Sequence, residues 1–147
     1  MASDLWTTVE DAVVAALKQE LDGRVNTLAT YQGDWLADLT RQDWRLPAVL
    51  VQLRQSRGLQ VTLGSYDLSL EFTVLVVVRQ LRGEAEGRRE AGGVYEILAG
   101  VRQALWHQDL GLDLQPLDLI REEPLLNNQE FSVYAARYGT ALVQDLG

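Results

Sequence analysis

Cysteine is absent from this 147-residue sequence, and histidine occurs once, at His107. Without cysteine there is neither a disulfide framework nor a thiolate metal site, so stability must come from packing, alone or with a partner. His107 follows Trp106 at the end of a predicted helix, where an imidazole meets the terminal carbonyl groups favourably. Because no second histidine and no cysteine can join it, we interpret His107 as a structural residue.

The residue patterns typical of active sites and ligand sites are also missing. Asp34 and Asp38 share a predicted helix face, which is commonplace on protein surfaces. The glycine-rich segment 83–93 lacks GKS or GKT and does not follow a strand-to-helix phosphate fingerprint. Three further aspartates alternate with leucines that demand burial and lack the register of a calcium loop: Asp109, Asp113 and Asp118. We therefore predict no enzyme activity, no cofactor and no metal site.

Long apolar runs and a surplus of basic residues are absent as well. The longest apolar run, residues 74–78, is far shorter than the roughly 20 residues that cross a bilayer. Residues 1–14 do not resemble a signal peptide, so we expect a soluble protein made in the cytoplasm. The net charge of −8 opposes binding to phosphate backbones, which argues against general nucleic-acid binding. A hydrophobic content of 47% suits a single domain over residues 1–147.

Two amphipathic helices are predicted from the spacing of apolar residues. The first covers residues 4–22, with Gly23 as its stop and Thr7 and Glu10 as a capping box for a later start. The second has a narrow apolar stripe with helical spacing, formed by Val94, Ile97, Leu98, Val101 and Leu105. Each stripe needs an apolar surface to cover, which predicts that both helices pack on a sheet.

The longest predicted strand covers residues 66–80. Its apolar residues take one face in the first half and both faces in the second half, while Asp67, Ser69 and Glu71 lie on the opposite, wet face. We interpret the first half as a half-exposed hairpin arm, and the second half as a central strand covered by helices on one side. A segment AVLVQLR after Pro47 predicts a preceding strand that is covered on both faces, with residues 55–65 as the connection.

The remaining segments give weaker signals. A short strand is predicted within residues 24–31, and a short helix within 33–44 with Trp35, Leu36 and Leu39 inward. After the second helix, Gly111 is placed to reverse the chain, and alternating leucines predict a strand over residues 110–115 that Pro116 interrupts or confines to an edge. Two further strands are predicted at 117–122 and 130–143, separated by the turn-like sequence PLLNNQ.

These elements predict an α+β fold, in which a mostly antiparallel or mixed sheet is packed by two main helices. The four tryptophans are Trp6, Trp35, Trp44 and Trp106. Core packing is the first interpretation for them, and subunit contact is the alternative, because large amphipathic rings are enriched at interfaces.

Residues 81–93, LRGEAEGRREAGG, have almost no apolar content and predict a mobile loop. Arg82, Arg88 and Arg89 are most simply solvated, and docking to an acidic partner is the alternative. If they dock, charge reversal at Arg88 and Arg89 should weaken self-association or docking, as measured by light scattering.

The order and spacing of five segments resemble a family of small proteins encoded in the tail-gene region of Mu-like contractile phages and prophages. The segments are LPAVLV at 46–51, VLVVVR at 74–79, GVYEILAGVRQAL at 93–105, LGLDLQPL at 110–117 and FSVYAARYGT at 131–140. The resemblance implies a virion protein similar in size and fold to tail terminators, which form a hexameric ring on a completed tail tube. Such rings stop tube growth, anchor the last sheath ring and join the tail to the neck.

The implied partners are further copies of the chain in a ring, the tail tube protein, the sheath protein, a neck or connector protein and passing DNA bound without sequence specificity. No membrane is implied, and the implied location is the tail–neck junction of a particle assembled in the bacterial cytoplasm. The family carries no catalytic motif. Candidate contact residues therefore come from this sequence alone: Asp67, Ser69, Glu71, Arg82, Arg88 and Arg89.

Two other interpretations stay open. A tail-tube or baseplate adaptor would share the size and the sheet but would not form a closing cap. A small soluble binding module outside a virion, or less favourably an enzyme, would act as a monomer or dimer with a defined epitope or pocket. The ring copy number, the residues that face a lumen and any assisting metal ion are not fixed by the sequence.

Overall fold

A five-stranded mixed sheet forms the centre of the molecule. The computed structural model describes residues 5–41, 44–80 and 93–145. The elements in chain order are α1 (Leu5–Glu20), β1 (Thr27–Thr30), α2 (Trp35–Arg41), β2 (Ala48–Thr62), β3 (Ser65–Arg79), α3 (Val94–Leu105), β4 (Asp118–Asn127) and β5 (Phe131–Asp145). The strand order is β1-β2-β3-β5-β4, with β1 parallel to β2 and the other neighbours antiparallel. The predicted α+β fold is confirmed.

The two amphipathic helices pack together on one face of the sheet, as their stripes predict. Helix α1 buries Val9, Val13 and Leu17, and α3 buries the whole predicted stripe. These side chains share a core with one face of the central strands, including Phe72 and Tyr138, whose rings stack 5.8 Å apart. A Cβ on Gly100 of α3 would lie 2.6 Å from Leu21 Cδ2. Because glycine has no side chain, Leu21, which follows α1, can pack closely against α3.

The opposite face of the sheet has a smaller cover built around α2. Leu39 packs on Ala48, Val77 and Val133, with Trp35 and Trp44 partly buried beside them. The predicted short helix is therefore present and two of its three inward residues are correct. Leu36 is wrong, because its side chain is 58% exposed. The predicted strand within 24–31 is present as β1.

Strand β2 is much longer than the sequence predicts. Residues 55–62, expected to be a connection, continue the strand and pair with β3 from Gln55↔Glu71 to Thr62↔Ser65. The turn is confined to Leu63 and Gly64, and Gly64 has a φ of +85°, a conformation that favours glycine. The expectation failed because this part of β2 is exposed along nearly its whole length, so it carries no buried alternation.

The segment between α3 and β4 is a series of turns, so the predicted strand over residues 110–115 is wrong. Leu110 and Gly111 both have positive φ angles, and Asp109 Oδ1 accepts a hydrogen bond of 2.9 Å from the Gly111 N–H. The alternating leucines nevertheless have an apolar role: Leu110, Leu112 and Leu114 are partly buried against the main core. Leucines that are buried at alternate positions of a turn give the same sequence pattern as a strand with one buried face.

The two C-terminal strands are confirmed, although the turn between them begins later than predicted. Pro124 lies within β4, which is an edge strand and therefore tolerates a residue without an N–H group. Asn128 Oδ1 accepts hydrogen bonds from the Glu130 and Phe131 N–H groups at 2.8 and 2.7 Å and closes the turn.

The mobile loop predicted at 81–93 lies outside the described residues except for Gly93, which is buried and precedes α3. Within the described ranges, no helix has both the length and the apolar content needed to cross a membrane.

Candidate interaction surface on the hairpin arm

The most extended feature of the molecule is a three-stranded extension of the sheet, here called the arm: residues 54–62 of β2, 65–71 of β3 and 140–145 of β5. Its strands stay paired to the end, from Ser65↔Asp145 inward on one side and Thr62↔Ser65 on the other. At about 3.3 Å per residue, the β2 part of the arm is roughly 25–30 Å long. The predicted half-exposed arm is therefore present, with a third strand that the sequence did not reveal.

The structure brings three of the predicted contact residues, Asp67, Ser69 and Glu71, onto one face of the arm. Asp67 and Ser69 are exposed and Glu71 is partly exposed. Ser69 Oγ donates a hydrogen bond of 3.3 Å to the Arg57 carbonyl, and Glu71 Oε2 accepts one of 3.4 Å from Gln55 Nε2. Their role as contacts stays a prediction.

The other three predicted contact residues, Arg82, Arg88 and Arg89, lie outside the described residues.

An exposed apolar tip on the arm was missed in the sequence. Leu59, Val61, Leu63 and Val143 are 68%, 57%, 97% and 63% exposed. Leu59 and Val143 flank Asp67 in one cross-strand row, because Leu59 pairs with Asp67 and Asp67 pairs with Val143. Apolar side chains clustered at the end of a projecting element are typical of a contact surface. The sequence predicts a connection between strands at residues 55–65, so it does not predict exposed apolar side chains at the end of an arm.

Both edges of the arm lack a neighbouring strand over part of their length, β2 beyond Leu53 and β5 beyond Ala141. Strand β1 pairs only with Ala48–Val51, and the Tyr31 N–H then donates to the Val51 carbonyl at 2.9 Å. Beyond Leu53, no described residue continues the ladder on this side of β2. On the other edge, β4 pairing ends at Asp118↔Gly139, and the Gln115 N–H donates to the Ala141 carbonyl at 2.8 Å. Open strand edges of this kind can pair with another chain.

A shallow groove of about 460 Å³ lies at the foot of the arm. Its apolar lining comes from Leu70, Pro116, Ile120 and Ala141, and its polar lining includes His107 and Asp118. Ile120 is 44% exposed here. The sequence gave no signal for this groove, because it depends on how the turns after α3 pass beside β5.

Asp34 and Asp38, which share the α2 region, have structural roles. Asp34 Oδ1 accepts hydrogen bonds from the Leu36 and Ala37 N–H groups and so caps α2. Asp38 accepts a hydrogen bond from the Tyr31 hydroxyl. Burial, followed by this bond to Asp38, raises the pKa of Tyr31 well above its ordinary value. These two carboxylates hold the β1–α2 connection in place.

His107 also has a structural setting. The imidazole of His107 stacks on Trp106 with ring centroids 5.2 Å apart, and the backbone N–H of His107 donates to the Leu117 carbonyl at 2.8 Å. In the part of the chain that the structure describes, no three histidine, cysteine, aspartate or glutamate residues are grouped to hold a metal ion.

One partly buried polar cluster links α3 to the β4–β5 edge. Arg102 Nη1 and Glu122 Oε1 form an ion pair of 2.7 Å, while Glu122 Oε2 and the Tyr138 hydroxyl are buried without a hydrogen-bond partner among the described residues. Burial, and then the negative charge of Glu122, raise the pKa of Tyr138 well above its ordinary value. The side chains of Arg102 and Glu122 are 36% and 20% exposed, so the cluster lies at the border of the main core and is not part of the arm.

Fold and surface together define a class: a single-domain α+β protein with a three-stranded arm that has open edges and an apolar tip. The chain belongs to the family described as Bacteriophage Mu, Gp37, whose sequence model matches residues 5–143. It is therefore a phage structural protein of the tail region, which confirms the resemblance and fits a component of the virion. No curated protein matches the chain.

Proposed function

We propose that this protein is the tail terminator of a contractile phage: a ring that caps the completed tail tube and joins tube and sheath to the neck. The observation that carries the proposal is the arm, a stiff sheet extension that presents strand edges and apolar side chains beyond the core. A ring subunit needs such an extension to reach a neighbouring copy. Membership of the family supports a role in the tail region. The arm is the reason for placing the protein at the end of the tail tube.

The charge of the chain also supports the proposal. A net charge of −8 repels phosphate groups, so a ring of these subunits would let DNA pass through without adhering to it. In this proposal the partners are other copies of the chain, the tail tube, the sheath and a neck protein, and the protein itself has no catalytic role.

The test is to mix purified protein with sheathless tail tubes and to image them by negative-stain electron microscopy. We expect added density at the end of the tube away from the baseplate, and no further tube growth when tube protein is supplied. Tubes without the protein are the control and should continue to grow. Density at the baseplate end would favour the tail-tube or baseplate adaptor, and tubes that stay bare and keep growing would refute the proposal.

A further inference from the structure

We propose that the arms of neighbouring copies join edge to edge, so that the end of β5 in one copy pairs with the outer half of β2 in the next copy. The contact is centred on Val143 of one copy beside Leu59 of the other. The inference rests on the proposed ring and specifies its subunit contact. The partner strand belongs to a second copy of this chain.

The outer edges of the sheet are protected against pairing with another chain everywhere except on the arm. β4 has Pro124, three consecutive charged residues at 121–123 and two bulges, and β1 has only four residues. Proline, charge, bulges and short length are the usual means of protecting an edge strand. In contrast, residues 58–62 of β2 and 142–144 of β5 include no proline and no charged residue. A bulge between Gln60 and Thr62 lies beside the turn, beyond the position of Leu59.

The backbone of the β5 edge is oriented for pairing. The Ala141 carbonyl accepts a hydrogen bond from the Gln115 N–H, so the backbone groups of Ala141 point to the outer side of β5. The N–H and C=O of one residue lie on the same side of an antiparallel strand, and the side alternates along the chain. The N–H and C=O of Val143 therefore also point outward, where no described strand lies next to β5.

The side chains at the two edges match in position and in polarity. Leu59 pairs with Asp67 and Asp67 pairs with Val143, so Leu59 and Val143 occupy the two ends of one row on the same face of the arm. Leu59 is 68% exposed and Val143 is 63% exposed. When arms join side by side at the same level, Val143 of one copy lies against Leu59 of the next, and both lose apolar surface to water.

The direction of the strands favours a second copy as the partner. β2 and β5 are both antiparallel to β3, so they run in the same direction on opposite sides of the arm. Copies related by a rotation can therefore join as parallel strands, and each copy uses both of its open edges. Pairing of β2 with another β2, or with a strand of a different protein, would leave the β5 edge open. A contact between two different edges is heterologous and can close into a ring.

The outline of the sheet fits such a rotation. The sheet has five strands in its body and three in the arm, because β1 ends opposite Val51 and β4 begins opposite Gly139. At about 4.8 Å per strand, the sheet narrows by about 10 Å from the body to the arm. Neighbouring arms can therefore touch only if the bodies fan out around a common axis, as they do in a ring.

The size of the contact predicts when it forms. Four paired residues extend about 13 Å along an edge that is one sheet, about 10 Å, thick, which covers roughly 100–150 Å² of each copy. A stable complex of two proteins buries about 800 Å² per partner. Two free copies are therefore not held together by this contact alone, and we expect it to form on the end of a tail tube, where every copy is held beside its neighbours.

Cysteine cross-linking tests the contact directly, because the natural chain has no cysteine. The variant carries Leu59→Cys and Val143→Cys and is oxidised mildly, both free at high concentration and on tail tubes. Within one copy the two positions are two strands, or about 10 Å, apart, which is beyond the reach of a disulfide. We expect a ladder of linked species on non-reducing gels that ends at the ring copy number. The matched control pairs Val143→Cys with Leu36→Cys on α2, which is 58% exposed, and should give no ladder.

Each outcome decides the inference. A ladder from the first variant in either preparation supports it, and absence of a ladder from both overturns it. Linked dimers from Leu59→Cys alone or from Val143→Cys alone also overturn it, since they show pairing between identical edges. Capping of tubes is scored separately, so capped tubes without a ladder would refute this contact and leave the proposed function standing.

A proline at the same edge gives a second readout. Val143→Pro removes an outward N–H that β3 does not use, so circular dichroism should show a folded protein with an almost unchanged urea midpoint. We expect the fraction of capped tubes to fall at least about tenfold, because every contact in the ring loses a hydrogen bond. Val143→Thr keeps the N–H and a branched side chain, and it should cap tubes normally. Equal capping by the two folded variants would contradict the strand pairing.

Discussion

At the scale of single residues, Tyr138 is the most unusual buried side chain. It is fully buried and stacks on Phe72, yet its hydroxyl has no hydrogen-bond partner among the described residues. We expect Tyr138→Phe to leave the free energy of unfolding unchanged or to raise it by up to about 1 kcal/mol, because it removes an unpaired buried group while keeping the ring. Urea unfolding followed by circular dichroism measures this. A loss of more than about 1 kcal/mol would show that the hydroxyl has a partner that the structure does not include.

The raised pKa of Tyr138 also predicts that the stability of the protein changes with pH in the alkaline range. Burial raises the pKa of Tyr138 above its unfolded value of about 10, so the native state keeps a proton that the unfolded chain loses. Its contribution to stability is therefore full below about pH 10 and is lost as the pH rises above that value. We expect the urea midpoint of the natural protein to fall as the pH rises above about 10, and to fall less in Tyr138→Phe.

Tyr31 adds to the same trend, since its pKa is also raised. The double variant Tyr31→Phe, Tyr138→Phe should therefore show the smallest decline. If natural protein and double variant lose stability in parallel across this range, other groups cause the decline and the account of both tyrosines is wrong.

At the scale of elements, the core and the arm should respond differently to the same substitution. Leu17→Ala in α1 removes a fully buried side chain, and we expect it to lower the free energy of unfolding by about 2–5 kcal/mol. Leu59→Ala on the arm removes an exposed side chain, and we expect a change below about 0.5 kcal/mol. Chemical denaturation of the two variants checks the pair. A comparable loss from Leu59→Ala would mean that the arm stabilises the monomer and is not kept for contacts.

The elements that could be predicted from the sequence are those with one buried face. Helices α1 and α3 and strand β3 have apolar residues at regular spacing because each covers the main core. The outer half of β2 has exposed side chains on both faces, so its strand character comes from pairing with β3 and leaves no periodic signal. Conversely, Leu110, Leu112 and Leu114 alternate without forming a strand, because a turn also brings alternate side chains to the core.

The candidate surface was predictable only in part, for the same reason. The sequence predicts that Asp67, Ser69 and Glu71 lie on the wet face of a projecting strand, and the structure confirms this position. The apolar tip and the groove were not predicted, because a leucine or valine in an exposed arm cannot be distinguished from a core residue by its type alone. Both features depend on non-local pairing of β2, β3 and β5.

At the scale of the whole molecule, the proposed tail terminator is a ring of identical subunits. Copies that associate head to tail can close into a ring, and a closed ring has a defined mass. We expect protein recovered from tail tubes, after gentle cross-linking, to have the mass of a closed ring with six copies as the expected number. Mass photometry would show this as one discrete species. A continuous distribution of masses would indicate open filaments and would contradict a cap.

The central claim is that this protein closes the upper end of a phage tail. It is tested most directly by locating the chain in intact particles, through cryo-electron microscopy of virions with a small tag on the protein. We predict tag density in a ring between the last sheath ring and the neck, and at no other level of the tail. Density at the baseplate, density along the tube or virions without the protein would contradict the account.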